Sequence, residues 1–390
     1  MAEKLPTHLV WEISARLPCE VDRLHMALVC RAWRSYLAQR DAPPLLRRLP
    51  WLVFPFEAGA SFCCVPCGST HAVMTAPEEE RGARFFGSHE GRWLMLATNR
   101  ISNNVVTNVG SGVSFPLPAM SIDSRGTTHF NMYIHAASLS CSPDEPDCVG
   151  GAIVQYYPDL HDLWRIVFFI VGIGGEPAVD PLPEAFNEEP EDIAHVHSFR
   201  LISSVTGGTH LDWHLYYFPP DGRFYDEYVY GRYLVPSRGE LLMVVKLSPH
   251  FDTNYGVTSG FRAFRMVRGQ NLEEVARVTQ CGWEELPDLD GRIIFLGRGC
   301  SRSYEAAAFP GSEEGIYFAD DRGFHEAYRI EHNLTFPCSD NGRCIGMPHP
   351  EIDRCFPMHQ VSSSYSSGVA SAVRYADCRF LLVMTLPQFD

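Results

Sequence analysis

Apolar residues recur at helical spacing near the start of the chain. Leu9, Val10, Ile13 and Leu17 fall on one face of a 3.6-residue turn, which predicts an amphipathic helix over 7–17. Pro6 suits the edge of its first turn and Thr7 is placed to cap it. Pro18 ends it, because proline removes a donor from the helical ladder. A second run, Val21 to Val29, sets Leu24 and Leu28 four residues apart, and a third, Arg31 to Gln39, puts Trp33, Tyr36 and Leu37 on one side. Pro43-Pro44 stops helical structure, and residues 41–50 form a proline-stiffened connector.

From Trp51-Leu52-Val53-Phe54 onward the texture changes. Strand-like runs recur every 10–15 residues between Gly, Pro, Asn and Asp: Arg92–Ala97, Asn131–Leu139, Ala152–Tyr157, Trp164–Val171, Leu215–Phe218, Leu241–Leu247, Phe261–Val267, Arg292–Leu296 and Ile316–Phe318. Leu272–Val278 is ambiguous between helix and strand. Gly91-Arg92-Trp93-Leu94-Met95-Leu96 is echoed by Gly239-Glu240-Leu241-Leu242-Met243-Val244 and again by Gly291-Arg292-Ile293-Ile294-Phe295-Leu296. A strand after a glycine turn, repeated along the chain, points to radial repetition, and blades of about 40–50 residues make six or seven of them. The competing architecture is two stacked sandwich domains. The expected class is mainly β, with a small three-helix module at residues 1–40, a linker at 41–50 and a single β-propeller at 51–390.

Three short helices in so few residues bury too little surface to be stable alone, since domains below about 40 residues usually need staples or a partner. Exposed apolar faces there call for a second protein; the alternative is a helical cap packed on its own β domain. Leu5-Pro6, Leu9 through Ile13, Leu17-Pro18, Val21-Asp22-Arg23-Leu24 and Leu28-Val29-Cys30-Arg31-Ala32-Trp33-Arg34 closely resemble the F-box. That resemblance implies a Skp-type adaptor, and through it a cullin, as partner. Leu5, Pro6, Leu9, Ile13, Leu17 and Pro18 would be the adaptor contacts, with Val29 and Trp33 in the core of the module. His8 departs from the pattern, where the family often places an acid that would favour the helix N-terminus by about 0.3–1 kcal/mol.

A second resemblance covers roughly residues 51–360. Trp283-Glu284-Glu285-Leu286, Gly291 through Ser301 and Gly315-Ile316-Tyr317-Phe318-Ala319-Asp320-Asp321 look like the KIB-type β-propeller, a plant domain formerly of unknown function and often found behind an F-box. Tyr233-Leu234-Val235, Gly239 through Val244 and Asn341-Gly342-Arg343-Cys344 fit the same pattern. It implies a propeller with a binding role and supplies no catalytic residues.

Charge narrows the partners. The formal net charge of −15 argues against nucleic acid, whose binding needs clustered Lys and Arg. Residues 1–50 hold 8 Lys and Arg against 5 Asp and Glu, a balance of +3, which leaves −18 on residues 51–390. Such acidity gives solubility, and also suits a basic client. The longest apolar run, Ile166 to Val171 extended by Gly172 and Ile173, is far short of the ~20 residues of a membrane helix, so no membrane is expected. Thirteen cysteines without a secretory leader read as reduced thiols in cytosol or nucleus, where the Asn333-Leu334-Thr335 sequon carries no meaning.

Candidate chemistry is sparse. Cys63, Cys64 and Cys67 with His71 have the density of a zinc site, but a second ligand pair at knuckle spacing is missing. Cys338, Cys344, Cys355 and His359 are irregularly spaced, and buried thiols are the expectation for both sets. Val171-Gly172-Ile173-Gly174-Gly175 is followed by Glu176-Pro177 and not by a helix start, so it reads as a turn. No nucleophile elbow or zinc-protease motif occurs. The acidic stretch around Glu184, Glu188, Glu189, Glu191 and Asp192 reads as a solvated loop, with a client-binding rim loop as the sharper alternative. No metal, no cofactor and no catalysis are expected. The leading expectation is the substrate receptor of an SCF-type cullin–RING ubiquitin ligase. Its rivals are an interaction protein that sequesters a partner and a propeller enzyme.

Overall fold

The computed structural model describes residues 5–17, 19–38, 49–56, 59–65, 69–71, 84–97, 103–109, 111–122, 129–146, 148–157, 165–171, 178–179, 195–203, 209–217, 228–249, 258–268, 278–297, 299–309, 312–318, 342–346 and 351–353. Three helices come first: α1 (Thr7–Arg16), α2 (Glu20–Val29) and α3 (Arg31–Leu37). The N-cap of α1 is Pro6, with no side-chain cap, so Thr7 is the first helical residue and not the capping one. Leu17 is already extended (φ −74°, ψ 114°), as a residue before proline must be. At α3 the Cys30 thiol accepts the Trp33 backbone N–H at 3.4 Å, an N-cap made by sulfur.

α3 packs on both α1 and α2. The Trp11 indole donates to the Tyr36 carbonyl at 2.8 Å, and Arg23 Nε donates to the Leu17 carbonyl at 2.6 Å. Val10, Cys19 and Met26 form the buried interior, with Ser14 and Arg23 also covered. The expected core residue Val29 is not in it and stands 63% exposed. Val29 ends α2 at the corner where the chain turns through extended Cys30 (φ −158°) into α3, so helical periodicity no longer directs it inward. Trp33 is half-buried.

Among the described residues after 50 the regular structure is β-strand, apart from one 3-10 turn at Ala306–Ala308. The first sheet holds β1 (Trp51–Phe56), β2 (Gly59–Cys64) and β3 (Ser69–His71), and the second holds β4 (Arg84–His89), β5 (Trp93–Ala97), β6 (Asn104–Asn108) and β7 (Ser114–Pro116), both as antiparallel meanders. The third contains β8 (Met120–Ile122), β9 (His129–Leu139), β10 (Val149–Tyr157), β11 (Arg165–Ile170) and β12 (Ala178–Val179); a short parallel pairing of β12 with β8 closes it on itself. The fourth runs β13 (His195–Ser203), β14 (Thr209–Tyr217), β18 (Val278–Glu285), β17 (Gly260–Arg268), β16 (Glu240–Ser248), β15 (Tyr228–Ser237). The fifth runs β20 (Arg302–Glu305), β19 (Arg292–Phe295), β21 (Gly315–Phe318), β22 (Gly342–Ile345), β23 (Glu351–Asp353). The expected strands are present with shifted ends. Alternation alone passed over strands such as β4, β6, β13 and β20, whose sequences mix polar or small residues with apolar ones.

Sheet packs on sheet through apolar faces. Phe86, Met95 and Val106 of the second sheet share one cluster with Ile134, Val154 and Phe169 of the third. Tyr233, Leu242 and Phe261 of the fourth share another with Ile294, Ile316 and Phe318 of the fifth. Leu49, near the end of the proline-rich connector, is buried with Ile293, Phe295, Phe309 and Tyr317, and Val65 packs against the same cluster. The beginning of the β domain thereby packs on its final described sheet.

The repeated glycine turns share one geometry. Glu90-Gly91 (φ 49° and 67°), Arg238-Gly239 (52° and 77°) and Asp290-Gly291 (48° and 74°) each place two successive residues in the left-handed region. This is the type I′ arrangement, whose twist matches that of flanking strands. In two of the turns the following amide closes back, Arg92 N–H to the His89 carbonyl and Arg292 N–H to the Leu289 carbonyl, both at 3.1 Å.

Candidate functional site

Two surfaces stand out. On the helices, Ile13 is 42% exposed and Leu28 65%, beside Val29. Pro6 is exposed, while Leu5, Leu9 and Leu17 are half-buried. Pro18 lies outside the described residues.

The second is a cavity of about 400 Å3 to which four of the five sheets contribute. β4 and its turn bring His89 and Glu90, and the loop between β9 and β10 brings Ser140, Cys141, Ser142 and Glu145. β15 brings Pro236, and β20 with the residue before it brings Ser301, Arg302, Ser303 and Tyr304. The volume is in the range of small-ligand sites.

Local bonds hold each wall. The Trp93 indole donates to Ser142 Oγ at 3.1 Å, tying the β9–β10 loop to β5. Within that loop Val149 N–H donates to Ser140 Oγ at 3.0 Å and the Cys148 thiol to the Cys141 carbonyl at 3.1 Å. Ser301 Oγ donates to the Gly297 carbonyl at 2.8 Å and accepts the Gly297 N–H at 3.1 Å. Ser303 and Ser237 share a hydroxyl contact at 3.0 Å, and buried Arg292 donates to Ser237 Oγ at 3.0 Å, so β15 and β20 are joined through one relay.

His89 is only 5% exposed. Its ring hydrogen-bonds the Leu139 carbonyl, whereas Nε2 is buried without a partner among the described residues. Burial lowers the His89 pKa, with Arg302 adding to the effect while Glu90, Glu145 and the Leu139 bond oppose it. Tyr304 is raised by burial, partly offset by Arg302, which hydrogen-bonds its hydroxyl. Glu90 and Glu145 are exposed at the mouth.

The sequence model of the KIB1-4 beta-propeller matches residues 62–338. The chain belongs to that family. No curated protein matches the chain significantly. The β domain is thus a KIB1-4 propeller, and the cavity lies where the described blades converge.

Sequence reasoning did not find the propeller cavity. Its residues are scattered over more than 200 positions and share no spacing; the signals were Ser301, at the end of the Gly291–Ser301 run, and Glu90, the residue before the first repeated glycine. Among the described residues no group of three His, Cys, Asp or Glu could hold a metal. Cys64 and Cys344 are buried and in no disulfide, and Cys344 is pushed up to about 12 by burial. The side chains of Cys63, Cys67 and His71, together with Cys338, Cys355, His359, the Gly172–Gly175 turn and the acidic stretch 184–192, lie outside what is described. No helix among the described residues is long and apolar enough to cross a membrane.

Proposed function

We propose that this chain is the substrate-recognition subunit of an SCF-type cullin–RING ubiquitin ligase, in which the helices form an F-box that docks a Skp-type adaptor and the propeller holds a client protein. The observation that carries the reading is the exposure of the apolar side chains Ile13, Leu28 and Val29 on a helical module of fewer than forty residues. Such a module gains stability by burying that surface against another protein. Leu49 supports the geometry: near the end of the connector it is buried against Ile293, Phe295 and Tyr317 of the fifth sheet, so that end is anchored. A stiff connector between two binding modules raises the effective concentration of one partner near the other. The chain supplies proximity, and isopeptide transfer belongs to the partner enzyme.

The test is capture of a purified Skp-type adaptor by the full chain, repeated with Ile13→Asp. Ile13 is exposed, so the substitution spares the fold while placing a charge in the interface. Adaptor capture by the wild type and its loss in the variant is the expected result. Failure of the wild type to capture adaptor ends the ligase reading and leaves a partner-sequestering protein.

A further inference from the structure

Two cysteines face each other across the neck of the loop that forms one wall of the cavity. β9 and β10 pair with Leu139 opposite Gly150, and Ser140 N–H donates to the Val149 carbonyl at 2.9 Å. Continuing that register sets Cys141 opposite Cys148. The backbone of Cys148 bonds elsewhere: its N–H donates to the Glu145 carbonyl at 3.2 Å, and its carbonyl accepts the Val171 N–H at 2.8 Å. The two cysteines therefore hold a non-hydrogen-bonded position of an antiparallel pair, where Cα atoms lie about 4.5 Å apart and side chains share one face. That separation falls within the roughly 4.4–6.8 Å that a disulfide spans. The Cys148 thiol already leans across the neck, donating to the Cys141 carbonyl at 3.1 Å. Neither residue is in a disulfide. Their access is unequal: Cys148 is wholly buried, whereas Cys141 is half-buried and lines the cavity.

We propose that Cys141 and Cys148 are a redox couple, converted to a disulfide by a low-molecular-weight disulfide that enters the cavity and meets Cys141 first. The Cys141 thiolate attacks one sulfur of the oxidant, forming a mixed disulfide and releasing one thiolate. The Cys148 sulfur then attacks the Cys141 sulfur, the mixed bond breaks, and the second thiol leaves. The two protons given up by the cysteines end on the two released thiols, so both cysteines are oxidised and one oxidant disulfide is reduced. Burial, and then the neighbouring Cys141, push the Cys148 thiol up to about 12, so it reacts only with a sulfur held beside it. The closed bond clips the β9–β10 loop at its base. Ser142 and Glu145 of that loop line the cavity, so the redox state decides how firmly this wall is held. The proposed adaptor docking involves none of these residues.

The test equilibrates the full chain with reduced and oxidised glutathione at varied ratio, quenches with acid, alkylates under denaturing conditions and digests with trypsin. Arg125 and Arg165 bracket a peptide that holds Cys141, Cys148 and no other cysteine, so its mass reports their state. The expected product lacks two hydrogens and takes up no alkyl group. It forms at an oxidant ratio about tenfold lower than in the urea-unfolded chain, because the folded neck holds the two sulfurs together. Cys141→Ala leaves Cys148 reduced throughout, and Cys148→Ala stops at a single glutathione on Cys141. If Cys148→Ala loses its native circular dichroism, the wild-type peptide and Cys141→Ala, at a half-buried position, carry the test. Three results overturn the proposal: a peptide still doubly alkylated where exposed Cys30 is fully glutathionylated, two added glutathiones in place of one internal bond, or equal oxidation of the folded and unfolded chains.

Discussion

Arg238 and Asp290 occupy the same position in two copies of one turn, and the guanidinium of the first grips the second across the junction of two blades. Arg238 ion-pairs the Asp290 carboxylate, donates to its backbone carbonyl at 2.7 Å, and meets both Glu305 oxygens at 2.7 and 2.6 Å. The pairing holds the Glu305 carboxyl below its ordinary range and raises the guanidinium pKa. A repeated turn has become a clasp between the fourth and fifth sheets.

Because the clasp is partly exposed, its worth is modest. A double-mutant cycle with Arg238→Ala and Glu305→Ala is expected to return a coupling of about 0.5–1 kcal/mol in urea unfolding at low ionic strength. The coupling should shrink in about 1 M salt, where screening acts within a few ångströms. A salt-independent coupling would contradict the assignment.

Glycines of two kinds should respond differently to alanine. At Gly91, Gly239 and Gly291 a Cβ meets nothing within 4 Å, so the cost is the left-handed backbone alone, about 1 kcal/mol at each site. Gly150 faces Phe169 in register, and a Cβ there would lie 2.1 Å from the buried ring. Gly150→Ala must displace Phe169 from the core and should cost about 1–3 kcal/mol. Thermal midpoints of the four variants check the ranking.

Burial of His89 makes stability depend on pH with a definite sign. Its folded pKa lies below the unfolded value of about 6.5, so between the two the unfolded chain binds more protons. The contribution is complete above about pH 6.5 and is lost as pH falls through the folded pKa. Urea midpoints at about pH 7.5 and 5.5 should therefore differ less for His89→Gln than for the wild type. A larger difference in the variant would reverse the inferred sign.

Thiol reactivity should follow burial. Cys148 is pushed up to about 12, chiefly by burial and then by the neighbouring Cys141, and Cys344 also to about 12, whereas Cys30 is exposed on the helices. Only the thiolate is nucleophilic. Iodoacetamide at mildly alkaline pH should label Cys30 well before Cys148 or Cys344, read by peptide mass mapping. Because the Cys30 sulfur caps α3, its alkylation should also loosen that helix.

Much of the architecture was legible in the sequence because it depends on local rules. Helical spacing of Leu9, Val10, Ile13 and Leu17 gave α1 nearly to its ends, and the repeated glycine before an apolar run marked three turns that share one backbone geometry. β-branched and aromatic runs such as Leu241–Leu247 and Phe261–Val267 became β16 and β17 because each buries residues against a neighbouring sheet. These are properties of a few consecutive residues, and the chain carries them wherever it goes.

Long-range placement decided the rest. Nothing near Val29 announces that the corner into α3 turns it toward solvent. Nothing near His89 announces Arg302, more than two hundred residues away, or the loop at Glu145. Strands of similar composition can neighbour one another in many orders, so the meeting of four sheets at one cavity is settled only when the apolar faces pack against one another. Sequence determined which segments are strands and turns; the energy of packing one against another, a sum over distant residues, determined which side chains face the cavity.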